Sequence, residues 1–357
     1  RLRALWWHAD QADTWDRLAT LEQLGRSSDR RRRWSALDEA SVWAPGWAWD
    51  VSRVLADGTR PGRNQEAARI AAMMKNKGIR LALVNMWSPY SNTLTLLACR
   101  MARVPAIAVF HYYQERSDVR GPLRSIKLSA YRLACRLSRR IVTVSEAHRG
   151  VLMREFGYPS HKLVTIHNGV PLPTEAPVRS YGSARRFLTV GSLERRKGVH
   201  ELLPALAKAS GEWTLDLAGD GPDRPMLQAM TNELGLHSKV RFLGRCSSMD
   251  AIYRQAEVLL HPSLSENLSM AILEAMSHGL PVIANDLGGN PELVTSGSEG
   301  WLATAGAKES WVTALNEAIL GRELHTMSRN ARTRVELEFH LDAMLSAYRE
   351  LVSKALA

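Results

Sequence analysis

Two glutamates, Glu266 and Glu274, stand in the segment His261–Val294, which reads HPSLSENLSMAILEAMSHGLPVIANDLGGNPELV. If a helix begins near Leu268 or Ser269, Glu266 lies just ahead of its N-terminus, beside the amides of Asn267 to Met270, and Glu274 lies one to two turns in. A helix start offers unpaired N–H donors and a positive dipole end, which suit a phosphate or a sugar hydroxyl. Carboxylates on both sides of those amides would grip a hydroxyl-rich ligand, because a charged acceptor makes the stronger kind of hydrogen bond. Spacing alone is also met by a capping Glu followed by a solvated helix Glu.

Short apolar, β-branched runs alternate with longer helix-like segments from about residue 80 onward, a pattern that predicts α/β architecture with parallel sheets. In the first half, strands are expected at Leu81–Asn85, Ala106–His111, Arg140–Val144 and Leu163–His167, with helices at Asn92–Arg103, Leu123–Leu137 and Glu146–Glu155. Each strand run is apolar throughout, as strands covered on both faces must be. Residues 171–186 contain three prolines and no apolar period, so they read as a linker. The alternation then restarts, with strands at Phe187–Val190, Thr214–Ala218, Val240–Leu243, Val258–Leu260 and Val282–Ala284. Helices are expected near Val199–Lys208, Arg224–Leu234, Met249–Gln255 and Ser269–Ser277, and Glu323–Ala357 reads as a helical, amphipathic close. Two doubly wound sheets would leave a cleft at the carboxyl ends of their strands, where open α/β sheets bind ligands.

Composition limits the alternatives. With 45% hydrophobic and 23% charged residues over 357 positions, the chain is neither disordered, collagen-like nor a disulfide-bonded miniprotein. Cys99, Cys135 and Cys246 show no C-x-x-C spacing and read as free thiols of a reducing compartment. No apolar stretch reaches the roughly 18 to 20 residues of a membrane span. The net charge of +11 is uneven: residues 1–180 hold 29 Lys and Arg against 15 Asp and Glu, a balance of +14, whereas the remainder balances at −3. Arg30 to Arg33 form one basic run, and Arg116, Arg120, Arg124, Lys127, Arg132, Arg136, Arg139 and Arg140 a longer one. Such a face fits a phosphate-rich partner, or simply a solvated surface. Trp6, Trp7, Trp15, Trp34, Trp43, Trp47 and Trp49 crowd the first fifty positions, where only Leu2–Trp7 reads as a strand. Core or acceptor-side packing is the expected use of these tryptophans.

Several motifs then agree in order. Ser263, Glu266, Glu274-Ala275-Met276 and Gly279-Leu280-Pro281-Val282 resemble the donor-binding signature of retaining nucleotide-sugar glycosyltransferases of glycosyltransferase family 4, which have the GT-B architecture. Thr189 to Leu193, running on to Lys197-Gly198, is similar to that family's first strand and phosphate loop. Ala218-Gly219-Asp220-Gly221-Pro222 is similar to its Gly-Asp-Gly-Pro turn, and Val240 to Gly244 to the strand ahead of the base pocket. Pro105 to His111 and His167 to Val170 resemble strands of its first domain, and Phe339 to Leu351 its closing helix. Ser192 stands where the family often has Arg, and Glu266-Asn267-Leu268-Ser269 where it usually has Glu-Gly-Phe-Gly.

The resemblance implies an α/β chain of two Rossmann-like domains facing a cleft. An acceptor-side domain would span 1–170, a linker 171–186, a donor domain 187–338 and a returning C-terminal helix 339–357. No glycine follows Leu2–Trp7 as the family's first loop requires, so either the first strand is missing from this chain or the acceptor side is unusual. The implied activity is metal-independent, retaining transfer of a hexose from a UDP- or GDP-linked sugar to a glycan or lipid-linked acceptor, with no further cofactor. By the same resemblance Lys197 and Arg196 would neutralise the diphosphate, and Glu266 with Asn267, Leu268 and Ser269 would hold the sugar. Glu274 would accept from the ribose, Gly191 and Ser192 would line the phosphate loop, Gly244 and Arg245 would border the base, and His111 would reach the sugar. The expected setting is cytoplasmic, peripheral on an anionic membrane, with no nucleic-acid partner. The alternatives are an epimerase or phosphorylase of the same architecture, or a silent, binding-only relative.

Overall fold

The computed structural model describes residues 67–86, 92–111, 115–116, 119, 124–174 and 180–356, together with the backbone of 48–50 and 63–66. The Leu2–Trp7 strand, the Arg30–Arg33 run, Arg120, residues 175–179 and the side chains of all seven N-terminal tryptophans lie outside the described residues. The chain divides into two compact units, one of Arg1–Ile166 with Leu345–Ala357 and one of His167–Met344.

In the first unit, β1 (Ala48–Asp50), β2 (Leu81–Met86), β3 (Ala106–Phe110), β4 (Arg140–Thr143) and β5 (Leu163–Thr165) form a parallel sheet in sequence order. Helices α1 (Arg63–Asn76), α2 (Thr93–Ala102), α3 (Arg124–Leu137) and α4 (Glu146–Phe156) connect them. Every residue of β3 is buried, which explains its unbroken apolar run. The Ser145 hydroxyl caps α4 by accepting from the His148 amide at 3.1 Å. Tyr131 stacks on Phe156, and the Tyr158 hydroxyl donates to the Tyr131 carbonyl at 2.6 Å, tying α3 to the end of α4.

The second unit contains β6 (Arg185–Val190), β7 (Trp213–Ala218), β8 (Val240–Gly244), β9 (Val258–His261), β10 (Val282–Asn285) and β11 (Gly300–Ala303). Their spatial order, β11-β10-β9-β6-β7-β8, is parallel throughout. The chain starts in the middle at β6, builds outward to β8, then returns to the other side of β6 with β9. Ligands of such sheets bind outside the strand ends where the order reverses, here between β6 and β9. The helices are α5 (Val199–Leu206), α6 (Arg224–Glu233), α7 (Met249–Gln255), α8 (Met270–Ser277), α9 (Asn290–Leu293), α10 (Lys308–Leu320) and α11 (Leu324–Glu338). A last helix, α12 (Leu341–Leu356), begins in this unit and ends in the first.

Three expectations need correction. Strand β6 starts at Arg185, inside the expected linker, because that arginine is buried and pairs with buried Glu257 at 3.1 Å. The short strand β11 and helices α9 and α10 are not foreseen in the sequence reading. The continuous C-terminal helix is two helices: Val170 inserts at the break, its amide donating to the Phe339 carbonyl and its carbonyl accepting from the Leu341 amide, each at 3.0 Å.

The Arg185–Glu257 pair also fixes the start of β6, a central strand of the second sheet. The Arg185 guanidinium donates to the carbonyls of Ala318 and Ile319, and Glu257 accepts from the amides of Gly182 and Arg186. Removing one member strands a buried charge, so Glu257→Ala should destabilise this unit by about 3 to 5 kcal/mol. Denaturant unfolding followed by Trp fluorescence checks this, and a loss below about 1 kcal/mol would contradict it.

Candidate functional site

Loops leaving β6 and β9 meet at the point where the strand order reverses. After β6 the chain passes Gly191 and Ser192, makes a short turn of 3-10 helix over Arg195–Lys197 and enters α5 at Gly198. After β9 it runs from Pro262 through Asn267 to Ser269, whose hydroxyl caps α8 by accepting from the Ile272 amide. The Arg196 carbonyl accepts from the Leu264 amide at 2.8 Å, and its guanidinium donates to the Ser265 carbonyl at 3.3 Å. Gly198 has φ +71°, and a Cβ there would sit 2.0 Å from the Pro262 carbonyl oxygen. Only glycine allows this approach. Gly288, with φ +55°, leaves as little room, since a Cβ there would sit 1.9 Å from the Glu266 carbonyl oxygen.

This packing brings Lys197 and Glu266 together, Nζ to Oε1, at 2.5 Å. On the same oxygen, 3.3 Å away, stands Nε2 of buried His261, at an angle that leaves the ring nitrogen without a well-formed hydrogen bond. Burial raises the pKa of Glu266, but His261 and Lys197 outweigh it and hold the carboxyl well below its ordinary value of 4.5. Behind the loop, the Asn285 amide donates to the carbonyls of Pro262 and Ser263 at 2.8 and 3.1 Å and accepts from the Trp311 indole at 2.8 Å. The Asn285 amide and the Trp311 indole are both buried and hydrogen-bonded, which makes the loop a rigid mount.

The other expected residues occupy distinct places. Glu274 lies on α8, where Oε2 accepts from the Tyr253 hydroxyl of α7 at 2.8 Å. Asn267 and Leu268 are buried beside Glu266, and Leu268 is apolar, so only its backbone can serve a ligand hydroxyl. Ser269 spends its hydroxyl on the cap. Gly191 and Ser192 are half-buried, and a Cβ on Gly191 would meet the Lys197 stem at 3.8 Å. Gly244 has φ +71° and accepts from the Gly219 amide at 2.8 Å, while Arg245 is exposed. His111 belongs to the other unit, at the end of β3, with Nε2 3.4 Å from Asn85 Oδ1; burial pulls its pKa down to about 4. Among the described residues no group of three His, Cys, Asp or Glu could hold a metal ion. His261, Tyr253 and Asn285 are not singled out from sequence. A lone histidine at a strand end and an asparagine after an apolar run carry no spacing signal; only their places next to the Glu266 and Glu274 segment point to them.

Open α/β sheets take their ligands outside the strand ends at such a reversal, and the paired Lys197 and Glu266 stand there. A model of glycosyl transferases group 1 matches residues 175–334, and one of glycosyltransferase family 4 matches residues 33–173. The chain belongs to the group 1, family 4 type of glycosyltransferases. Lipopolysaccharide 1,6-galactosyltransferase of Salmonella typhimurium is 34% identical over 46% of this chain and 48% of the relative. An Escherichia coli UDP-Gal:alpha-D-GlcNAc-diphosphoundecaprenol alpha-1,3-galactosyltransferase is 23% identical over 75% and 74%. The chain spans about half the length of most of the curated relatives it matches. Among solved structures, the apo lipopolysaccharide outer core galactosyltransferase WaaB superposes with a TM-score of 0.68 at 23% identity, over 82% of this chain and 80% of that one. Anabaena Alr3699/HepE in complex with UDP superposes with a TM-score of 0.73 at 22% identity, over 83% and 84%. The fold is the two-domain GT-B fold.

The depressed carboxyl sets a pH test. A group whose folded pKa is lowered stabilises the fold above its unfolded value and loses that contribution as the pH falls toward the folded one. The stability difference between the native protein and Glu266→Gln should therefore be full near about pH 7 and shrink steadily below about pH 4.5. A difference independent of pH, in denaturant unfolding across that range, would contradict the charged assignment.

Proposed function

We propose that this protein transfers a hexose from a UDP- or GDP-linked sugar to an acceptor hydroxyl in glycan or glycolipid assembly, with retained configuration and without a metal. The observation that carries this reading is the Lys197–Glu266 pair in the abutting loops at the strand-order reversal. Breaking the sugar–phosphate bond builds negative charge on the departing diphosphate, and a preplaced cation lowers that barrier. Lys197 fits the task, for its ammonium has three donors and Glu266 engages one. Arg196 is engaged on Ser265 and adds its charge beside it. Glu266 and the amides of Asn267 to Ser269 are assigned the sugar, Glu274 the ribose, Gly191 and Ser192 the phosphates, and Gly244 with Arg245 the base. His111 retains its sugar-contacting role through the family resemblance alone.

The acceptor reading is lipid-linked. One relative's name specifies a diphosphoundecaprenol-linked sugar. The first unit supplies a fitting surface on α3, where Ile126 and Leu133 are 66% and 40% exposed. Exposed Arg132, Arg136 and Arg139 stand nearby, and helix α3 contains no acidic residue. Cations flanking exposed apolar side chains suit an anionic leaflet. No helix among the described residues is long and apolar enough to cross a membrane.

Thermal shift with UDP, GDP and their sugar conjugates tests the donor site, since a ligand of the folded state must raise its stability. One base should stabilise the protein, Glu274→Ala should weaken donor binding about tenfold or more, and EDTA should leave turnover unchanged. Lys197→Ala should lower kcat more than donor affinity. No stabilisation by any nucleotide would refute the donor assignment, and binding without transfer would favour the silent relative. For the acceptor side, the protein should sediment with anionic vesicles at about 0.15 M salt, and Arg132→Glu with Arg136→Glu should release it; equal binding to neutral vesicles would count against this face.

A further inference from the structure

Lys197 faces two demands that conflict. In the ligand-free protein its ammonium is the ion partner of Glu266, whose side chain is 12% exposed. In the reaction proposed above, the same ammonium must turn toward a diphosphate. That motion by itself would strand a largely buried carboxylate, and an unpaired buried charge is among the costliest defects a fold can hold.

The one other side chain placed on that carboxylate among the described residues is His261. Its side chain is 2% exposed, and Nε2 lies 3.3 Å from Glu266 Oε1 with no well-formed hydrogen bond to any group. A buried ring nitrogen left in this condition, a short rotation from a charged acceptor, is a donor held in reserve. Its backbone cannot drift, because β9 is paired on both sides, with β6 and with β10, and His261 itself is in register with Ala284. The loop that carries Glu266 is held in turn by Asn285, whose amide donates to the carbonyls of Pro262 and Ser263. Ring and carboxylate are thus mounted on rigid backbone, and the ammonium at the end of the lysine stem is the mobile member of the three.

We propose that His261 is a positioning residue that takes over Glu266 Oε1 when Lys197 turns to the diphosphate, donating from Nε2–H and so freeing the ammonium for the phosphate oxygens. His261 does not touch the ligand. Its effect is confined to the increment of affinity that the second phosphate adds, and it vanishes when Glu266 carries no charge. The inference rests on the nucleotide-diphosphate reading of the site.

The test compares the full chain with UDP and UMP, or GDP and GMP, whichever base stabilises it, by titration calorimetry. In His261→Leu the ratio of diphosphate to monophosphate affinity should fall about tenfold, while monophosphate affinity stays within about twofold. His261→Gln, which keeps an N–H donor, should recover most of the ratio. In the Glu266→Gln background, His261→Leu should leave the ratio unchanged, because no charge is then stranded. If leucine is not accommodated, His261→Met, flexible and without a donor, reads the same ratio. An unaltered ratio in the donorless variants, or equal losses for mono- and diphosphate, would overturn the role of His261 while leaving the donor site standing. Failure of the unmodified protein to bind any of these nucleotides would overturn both.

Discussion

A carboxylate that is nearly enclosed yet ionised governs the second unit. Lys197 and His261 converge on one oxygen of Glu266 and hold it in the charged form against its burial. They arrive from different strands, Lys197 from the loop after β6 and His261 from the end of β9. The interaction therefore demands that β6 and β9 be neighbours, that their loops touch, and that the loop bearing Glu266 be held from behind. A sheet that reverses its order between β6 and β9 meets the first demand. The close approach of Gly198 to Pro262 meets the second, and the Asn285–Trp311 network meets the third.

The same constraint explains why the site is assembled from short loops. Each loop after a strand has to satisfy its own backbone while presenting a side chain to the reversal point. The β6 loop does so through a tight 3-10 turn whose arginine straps the β9 loop. The β9 loop does so through a serine that caps the next helix. Glu274, one turn into that helix, is fixed by Tyr253 from a neighbouring helix, so the two glutamates of the segment are held by unrelated contacts.

Much of the architecture was legible in the chain. Apolar runs such as Ala106–Phe110 and Val282–Ala284 fit strands covered on both faces, and their alternation with helices implies parallel sheets. The segment around Glu266 stands out in the sequence through its resemblance to the family's donor-binding signature, since the spacing of its carboxylates alone is also met by a cap and a solvated helix face. What escaped notice did so for physical reasons. Arg185 reads as a linker residue because its partner, Glu257, is distant in sequence. Strand β11 is four residues long and starts with glycine, too short for a period. The break before α12 is imposed by Val170, far away in the chain. His261 shows its meaning only when the loop folds back and places Glu266 against its ring.

The central claim is that the loops after β6 and β9 form one site for a nucleotide-diphosphate sugar. A crystal structure with the stabilising nucleoside diphosphate bound tests it most directly. The account predicts diphosphate density outside the carboxyl ends of β6 and β9, within hydrogen-bonding distance of Lys197 Nζ, with His261 Nε2 closed onto Glu266. Diphosphate density elsewhere on the chain, with the Lys197–Glu266 pair undisturbed, would contradict it.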